Sequence, residues 1–197
     1  MMIDNQNIKK ILSALDKQIG ISQGAPISIV VCGGTALFAL KLILRTTKDV
    51  DVIGKISMSH GRIKIEKIDE FPEWFEKAAK IVQRDFNLPD NWINTGPAKQ
   101  IETGLPNGFE KRLVKRACGE YLTVYFISRL DQIHFKLYAS LDRGGYHTDD
   151  LFALKPSSEE ILMASQWVLT QDVSSEFRDI LKSFLMEKGY ENIAKQF

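Results

Sequence analysis

The sequence predicts an α+β fold: a small mixed β-sheet with flanking helices, followed by a C-terminal helical region. Three observations predict it. Short apolar runs alternate with helix-period stretches up to about residue 127. Only 3.6-residue periodicity follows that point. A glycine pair joins the first strand to the first buried helix, in the run Val-Val-Cys-Gly-Gly-Thr at residues 30–35. The expected organisation is a core over 1–127 and a helical cap over 128–197 packed on it as one compact unit.

The elements follow in order. Ile8, Ile11, Leu12, Leu15 and Ile19 recur at helical spacing, which predicts an amphipathic helix over 4–19. Gln23-Gly24-Ala25-Pro26 ends it. Residues 27–32, apolar except for Ser28, predict a buried strand. Residues 35–44 are apolar almost all round and predict a short helix buried against the sheet. Val50 to Ile53 predicts a second buried strand, and Ile63-Lys64-Ile65 a third. Phe71 to Phe86 reads as a helix, with Pro72 in its first turn and Trp74, Phe75, Ala78, Ile81 and Val82 as its apolar stripe. Residues 87–110, rich in Pro, Gly and Asn, predict a long loop, and long loops in compact domains are often functional. Residues 111–118 and 121–127 predict a hairpin turning at Gly119-Glu120. Helices are expected over 129–142, from the capping box Ser157-x-x-Glu160 to Thr170, and around Phe177 to Leu185.

Bulk properties exclude several classes. The chain has 197 residues, 44% hydrophobic and 26% charged, which is the make-up of an ordinary soluble globular protein. A formal net charge of +1 gives no global field for nucleic acid or membrane. No apolar run reaches the roughly 20 residues needed to span a bilayer. Cys32 and Cys118 have no zinc or redox spacing, and the N-terminus has no signal-peptide pattern, so a reducing cytoplasm is expected. His60, His134 and His147 show no ligand spacing. Trp74 and Trp167 fall on helical stripes and read as core.

The chemistry concentrates in residues 30–53. Asp49 and Asp51 sit two apart on a strand, so their carboxylates share a face about 6–7 Å apart and suit one or two magnesium or manganese ions. Gly33 and Gly34 allow close backbone approach to a phosphate at the start of a helix. Thr35 is placed to cap that helix or to donate to a phosphate. Arg45 and Lys48, in the connecting turn with Thr47, add phosphate-neutralising charge. A lone Gly-Gly is usually a turn, and a lone Asp-x-Asp is usually solvated charge. Their joint occurrence in one strand–glycine–helix–turn–strand unit favours a metal–nucleotide site.

This unit resembles the signature of the nucleotidyltransferase superfamily typified by DNA polymerase beta. Gly-Gly-x-Ala-Leu at 33–37 and Arg-x-Thr-x-Asp-x-Asp at 45–51 are closer still to the AbiEii-type toxins of bacterial toxin–antitoxin systems and their uncharacterised relatives. The same family carries Lys-x-x-Ala-x-x-x-Arg followed by an acidic element. Lys136, Ala139 and Arg143 match the first part, and Asp149 and Asp150 lie where the acid belongs. The resemblance implies that Lys136 and Arg143 contact nucleotide phosphates and that one aspartate, preferentially Asp149, assists. Without the resemblance, Lys136 reads as a snorkelling lysine and the two acids as the start of a helix through Leu154.

One departure stands out. Many active members have a third carboxylate on a later strand, whereas Leu122 to Ile127 has none and Glu66 has no clear match. Trp92-Ile93-Asn94 and Gly104 to Arg112 also look like segments of those relatives, with no chemistry assigned. The basic stretch Lys111-Arg112-Leu-Val-Lys115-Arg116 reads as an RNA-tracking strand or, more simply, as a lysine-guarded sheet edge. The resemblance implies transfer of an NMP from an NTP to a hydroxyl acceptor on RNA, protein or a small molecule, with an antitoxin as a further partner. The alternatives are a catalytically weak binding protein of the same fold, with 87–110 as its interaction surface, and transfer of a γ-phosphate as in a kinase.

Overall fold

A computed structural model of the chain describes residues 2–4, 6–43, 46–59 and 61–197. It divides into two units, residues 1–128 and 129–197. Arg45 and His60, both named above, lie outside the described residues.

The first unit is built on a six-stranded mixed sheet flanked by helices. Its strands are β1 (Ile27–Cys32), β2 (Val50–Ser59), β3 (Arg62–Glu66), β4 (Ile93–Asn94), β5 (Val114–Ala117) and β6 (Leu122–Phe126). The order is β3-β2-β1-β6-β5, with β4 pairing β2 as well. The central strand β1 runs antiparallel to β2 and parallel to β6. Its residues Ile29, Val30 and Val31 are fully buried, as are Val50, Val52 and Ile53 of β2 and Val124 and Phe126 of β6. Runs of β-branched residues without polar alternation suit strands buried on both faces. The β1–β2 register shifts between Val30 and Val31, where Gly54 and Val52 are the successive partners. A bulge of this kind bends the strand and increases its twist beside the site.

Several boundaries differ from expectation for local reasons. The first helix, α1 (Ile8–Ile21), starts four residues late. The Asp4 carboxylate accepts from the Gln6 and Asn7 N–H groups and makes a turn there instead. Helix α2 (Gly33–Ala39) starts two residues early and ends five residues early. Lys41 has φ +58°, and the Lys41 and Leu42 N–H groups bond back to Phe38 and Leu37 carbonyls, a Schellman closure with a non-glycine residue. Strand β2 runs on to Ser59 because β3 pairs with its distal half. Helix α3 (Glu73–Asp85) leaves Pro72 just before its first residue, and Trp74 is half-buried, not core.

The expected long loop is the largest difference. Residues 87–110 contain β4, a 3-10 turn at Gly96–Lys99, the short helix α4 (Gln100–Thr103) and the start of a second 3-10 turn at Phe109–Arg112. That second turn also removes Lys111 and Arg112 from the hairpin strand. Trp92 anchors the segment: it is buried, its Nε1 donates to the Ala79 carbonyl, and its own carbonyl accepts from Val50 N–H. Strand β5 is an exposed sheet edge carrying Lys115 and Arg116.

Asp16 was not singled out by the sequence, yet it organises the β5–β6 turn. Buried on α1, its Oδ1 accepts from both Tyr121 and Leu122 N–H. A Cβ on Gly119 would stand 1.9 Å from Asp16 Oδ2, so only glycine allows this approach. Desolvation, with help from the Asp16 charge, pushes the nearby Cys118 thiol up to about 11.

The second unit is helical: α5 (Arg129–Arg143), α6 (Tyr146–Ala153), α7 (Ser158–Gln171), α8 (Ser175–Glu187) and α9 (Glu191–Ala194). Helix α5 packs against α6, α7 and α8. The capping box forms as read: Ser157 accepts from Glu160 N–H while the Glu160 carboxylate accepts from Ser157 N–H. Trp167 stacks on Phe135 with centroids 5.4 Å apart. Among the described residues, no helix is long and apolar enough to cross a membrane.

Candidate active site

The first unit assembles Gly33, Gly34, Thr35, Thr47, Lys48, Asp49 and Asp51 around the start of α2 and the start of β2. Asp51 is the second residue of β2, flanked by Cys32 on β1 and Asn94 on β4. Asp49 lies just before the strand. Both aspartates are half-buried.

Gly33 sets how Asp51 sits. It has φ +65°, and a Cβ there would stand 2.2 Å from Asp51 Oδ2. Any other residue would meet both the left-handed backbone and the carboxylate. The glycine therefore serves the aspartate directly, in addition to the phosphate approach read from the sequence. The other carboxylate oxygen, Oδ1, accepts from Asn94 Nδ2 at 3.3 Å. Asp51 is thus oriented between a glycine turn on one side and an amide on the other.

Asp49 is held through two threonines. The Thr35 hydroxyl, almost fully buried, donates to the Asp49 carbonyl at 2.7 Å. The Thr47 hydroxyl donates to Asp49 Oδ1 at 2.9 Å. The N-cap of α2 is Cys32, and the Thr35 hydroxyl bonds the connection that carries the acids. Thr47 is itself fixed by a two-way backbone bridge to Ile3, whose side chain is fully buried. Lys48 is exposed, and Gly34 is buried within α2.

Lys136, Arg143, Asp149 and Asp150 belong to the second unit. Lys136 Nζ lies 2.7 Å from Asp150 Oδ2, and the two side chains are 6% and 4% exposed. The lysine also lies 5.8 Å from the Tyr146 ring. Asp150, not Asp149, is the acid at the lysine; Asp149 is exposed. The difference is helical geometry, because adjacent residues on α6 point about 100° apart. Neither acid starts the helix, whose N-cap is Gly145. Arg143 is exposed at the end of α5, 3.4 Å from the Asp142 carboxylate.

Asn94 is the residue that sequence reasoning passed over. A signal existed, since Trp92-Ile93-Asn94 stood out as a segment, but nothing local linked it to a residue 43 positions away.

A family model described as nucleotidyltransferase of unknown function (DUF6036) matches residues 7–146. The chain belongs to this family. The match to the nucleotidyltransferase model takes in the whole strand–glycine–helix–Asp-x-Asp unit, Asn94, Lys136 and Arg143, and stops before Asp149 and Asp150. No curated protein and no solved structure matches the chain.

The donor chemistry fits a hard cation held together with a nucleotide. Among the described residues no group of three acidic, histidine or cysteine side chains is placed to hold a metal by itself. Two carboxylates are the usual protein share for Mg²⁺, which completes its shell with waters and substrate phosphates.

Proposed function

We propose that the protein is a metal-dependent nucleotidyltransferase that moves an NMP from an NTP to a hydroxyl acceptor. The observation that carries this reading is the Asp49–Asp51 pair, oriented by Thr47, Asn94 and Gly33 at the start of a glycine-led helix. Membership of a family described as nucleotidyltransferases supports it.

In this reading Asp49 and Asp51 would hold Mg²⁺ or Mn²⁺ together with the triphosphate. When bound, the cation neutralises phosphate charge and favours the ionised acceptor hydroxyl. Gly33 and Gly34 admit the phosphates close to the backbone, and Lys48 adds positive charge beside them. The acceptor oxygen forms a bond to the α-phosphorus. The bond from that phosphorus to the α,β-bridging oxygen breaks, and pyrophosphate carries away the electron pair. The acceptor's proton passes to a carboxylate oxygen of the aspartate pair. Thr35 and Thr47 keep that pair in register throughout.

The likeness of residues 33–37 and 45–51 to AbiEii-type toxins supports a toxin–antitoxin setting in the cytoplasm, with RNA, protein or a small molecule as the acceptor. A second reading, an interaction protein with a weak site, is favoured by one observation: the Lys136 ammonium is already matched by Asp150.

The deciding experiment incubates purified protein with Mg²⁺ or Mn²⁺, each α-labelled NTP, and host RNA and protein extract. Label entering one fraction with wild type but not with Asp49→Ala/Asp51→Ala is the expected result. Absence of label with every nucleotide rejects the enzyme reading in favour of the second. Label from γ-labelled NTP alone would instead identify a kinase.

A further inference from the structure

Strand β4 is only two residues long, yet it brings one side chain to the candidate site. It runs parallel to β2 with Val50 opposite Ile93 and Asp51 opposite Asn94. The ladder is continued by the Trp92 carbonyl, which accepts from Val50 N–H at 2.6 Å.

The Asn94 amide is fixed at both ends. Its Oδ1 accepts from Gly96 N–H at 2.9 Å, and its Nδ2 donates to Asp51 Oδ1 at 3.3 Å. A backbone N–H is only a donor, so the amide oxygen must be the atom facing Gly96. The NH₂ group must then face the carboxylate. Asn94 therefore orients Asp51 without adding charge, and it engages one of the two Asp51 oxygens. An aspartate at this position would have nearly the same shape and would add a carboxylate beside Asp51.

We infer that Asn94 is a positioning residue that makes the site load its cation together with the nucleotide, not ahead of it. The inference rests on the nucleotidyltransferase reading above. Two carboxylates carry a formal charge of −2, and the amide occupies an oxygen that a cation would otherwise use. The described residues then supply too few oxygen ligands to hold a hard divalent cation alone, and the phosphate oxygens of the NTP complete the set. With a third carboxylate in this place, a cation would be held before nucleotide arrived.

The test measures Mn²⁺ binding by the full chain, followed by electron paramagnetic resonance. Each protein is titrated with Mn²⁺ alone and with Mn²⁺ plus the four α,β-nonhydrolysable NTP analogues. Wild type is expected to bind Mn²⁺ strongly only with the analogues. Asn94→Asp is expected to tighten binding of Mn²⁺ alone by about tenfold or more, because ligand charge tunes affinity over decades. Asn94→Ala is expected to weaken binding with the analogues by about tenfold, the usual loss when an orienting partner of a ligand is removed. This second variant decides the matter if Asn94→Asp does not fold. Equal Mn²⁺ affinity in wild type, Asn94→Asp and Asn94→Ala overturns the inference. So does wild type that binds Mn²⁺ equally well with and without analogues, and both outcomes leave nucleotidyl transfer standing. Wild type that binds no Mn²⁺ even with the analogues, like an Asp51→Asn control, rejects the nucleotidyltransferase reading itself.

Discussion

Asp51 and Asp150 are both aspartates brought to a specific partner, but the two units use them differently. Asp51 in the first unit is half-buried and is oriented by the Asn94 amide over a glycine. Asp150 in the second unit is 3% exposed and meets the Lys136 ammonium at 2.7 Å. An amide donor orients a carboxylate without bringing a counter-charge of its own. A counter-charge fixes it by cancelling that charge. The first arrangement suits cation binding, whereas the second suits holding two helices together.

The largest effect should come from breaking the first arrangement. Asp51→Ala should lower nucleotidyl transfer by about 10³-fold or more, the scale seen when a key electrostatic group is lost. Its unfolding free energy should change by less than about 1 kcal/mol. A stability loss well above that in urea titration would mean Asp51 is structural, and the contrast would collapse.

The second arrangement should respond in the opposite sense. Lys136→Met leaves Asp150 buried without its counter-charge, which typically costs about 3–5 kcal/mol. Lys136→Met/Asp150→Leu should recover most of that loss, because a buried ion pair is often replaceable by apolar residues of similar volume. If the double variant is no more stable than the single one, the pair is not acting as a matched unit.

Gly33→Ala sharpens the comparison from the backbone side. The methyl group would stand 2.2 Å from Asp51 Oδ2 at φ +65°. The left-handed conformation costs an alanine about 1–2 kcal/mol. Displacing the carboxylate should lower transfer by about 10²-fold, as angstrom-scale misplacement does. Unchanged transfer would show that Asp51 position is not limiting.

The smallest effect concerns acid. The Arg129 guanidinium holds the Glu160 carboxyl below its ordinary value of 4.5. A carboxyl lowered on folding stabilises above its unfolded value, and that contribution fades as pH falls through the folded value. Wild type should therefore lose stability below about pH 4.5 more steeply than Glu160→Gln in thermal melts. Parallel pH profiles would remove Glu160 from the account.

Much of this was legible along the chain. The strand–Gly33-Gly34–helix–Asp49-x-Asp51 unit could be read because its parts lie within some twenty residues and its periodicity changes at each junction. The Ser157–Glu160 capping box was readable for the same reason, since both of its bonds close within three residues. The boundaries of α1 and α2 were misplaced because Asp4 and Lys41 end or delay helices through backbone turns that apolar periodicity does not register. Residues 87–110 read as loop because a two-residue strand has no pattern of its own and exists only by pairing with β2.

The sequence by itself determined the order of the elements, the carboxylate pair and the glycine turn, since each depends on residues close in the chain. Tertiary structure alone decided which oxygen each acid presents and which partner holds it. Asn94 reaches Asp51 across 43 positions, Thr35 reaches the Asp49 carbonyl across 14, and Asp16 reaches the β5–β6 turn across more than 100. The physical reason is that hydrogen bonds between distant residues depend on how strands and helices pack, and packing is a property of the folded chain as a whole.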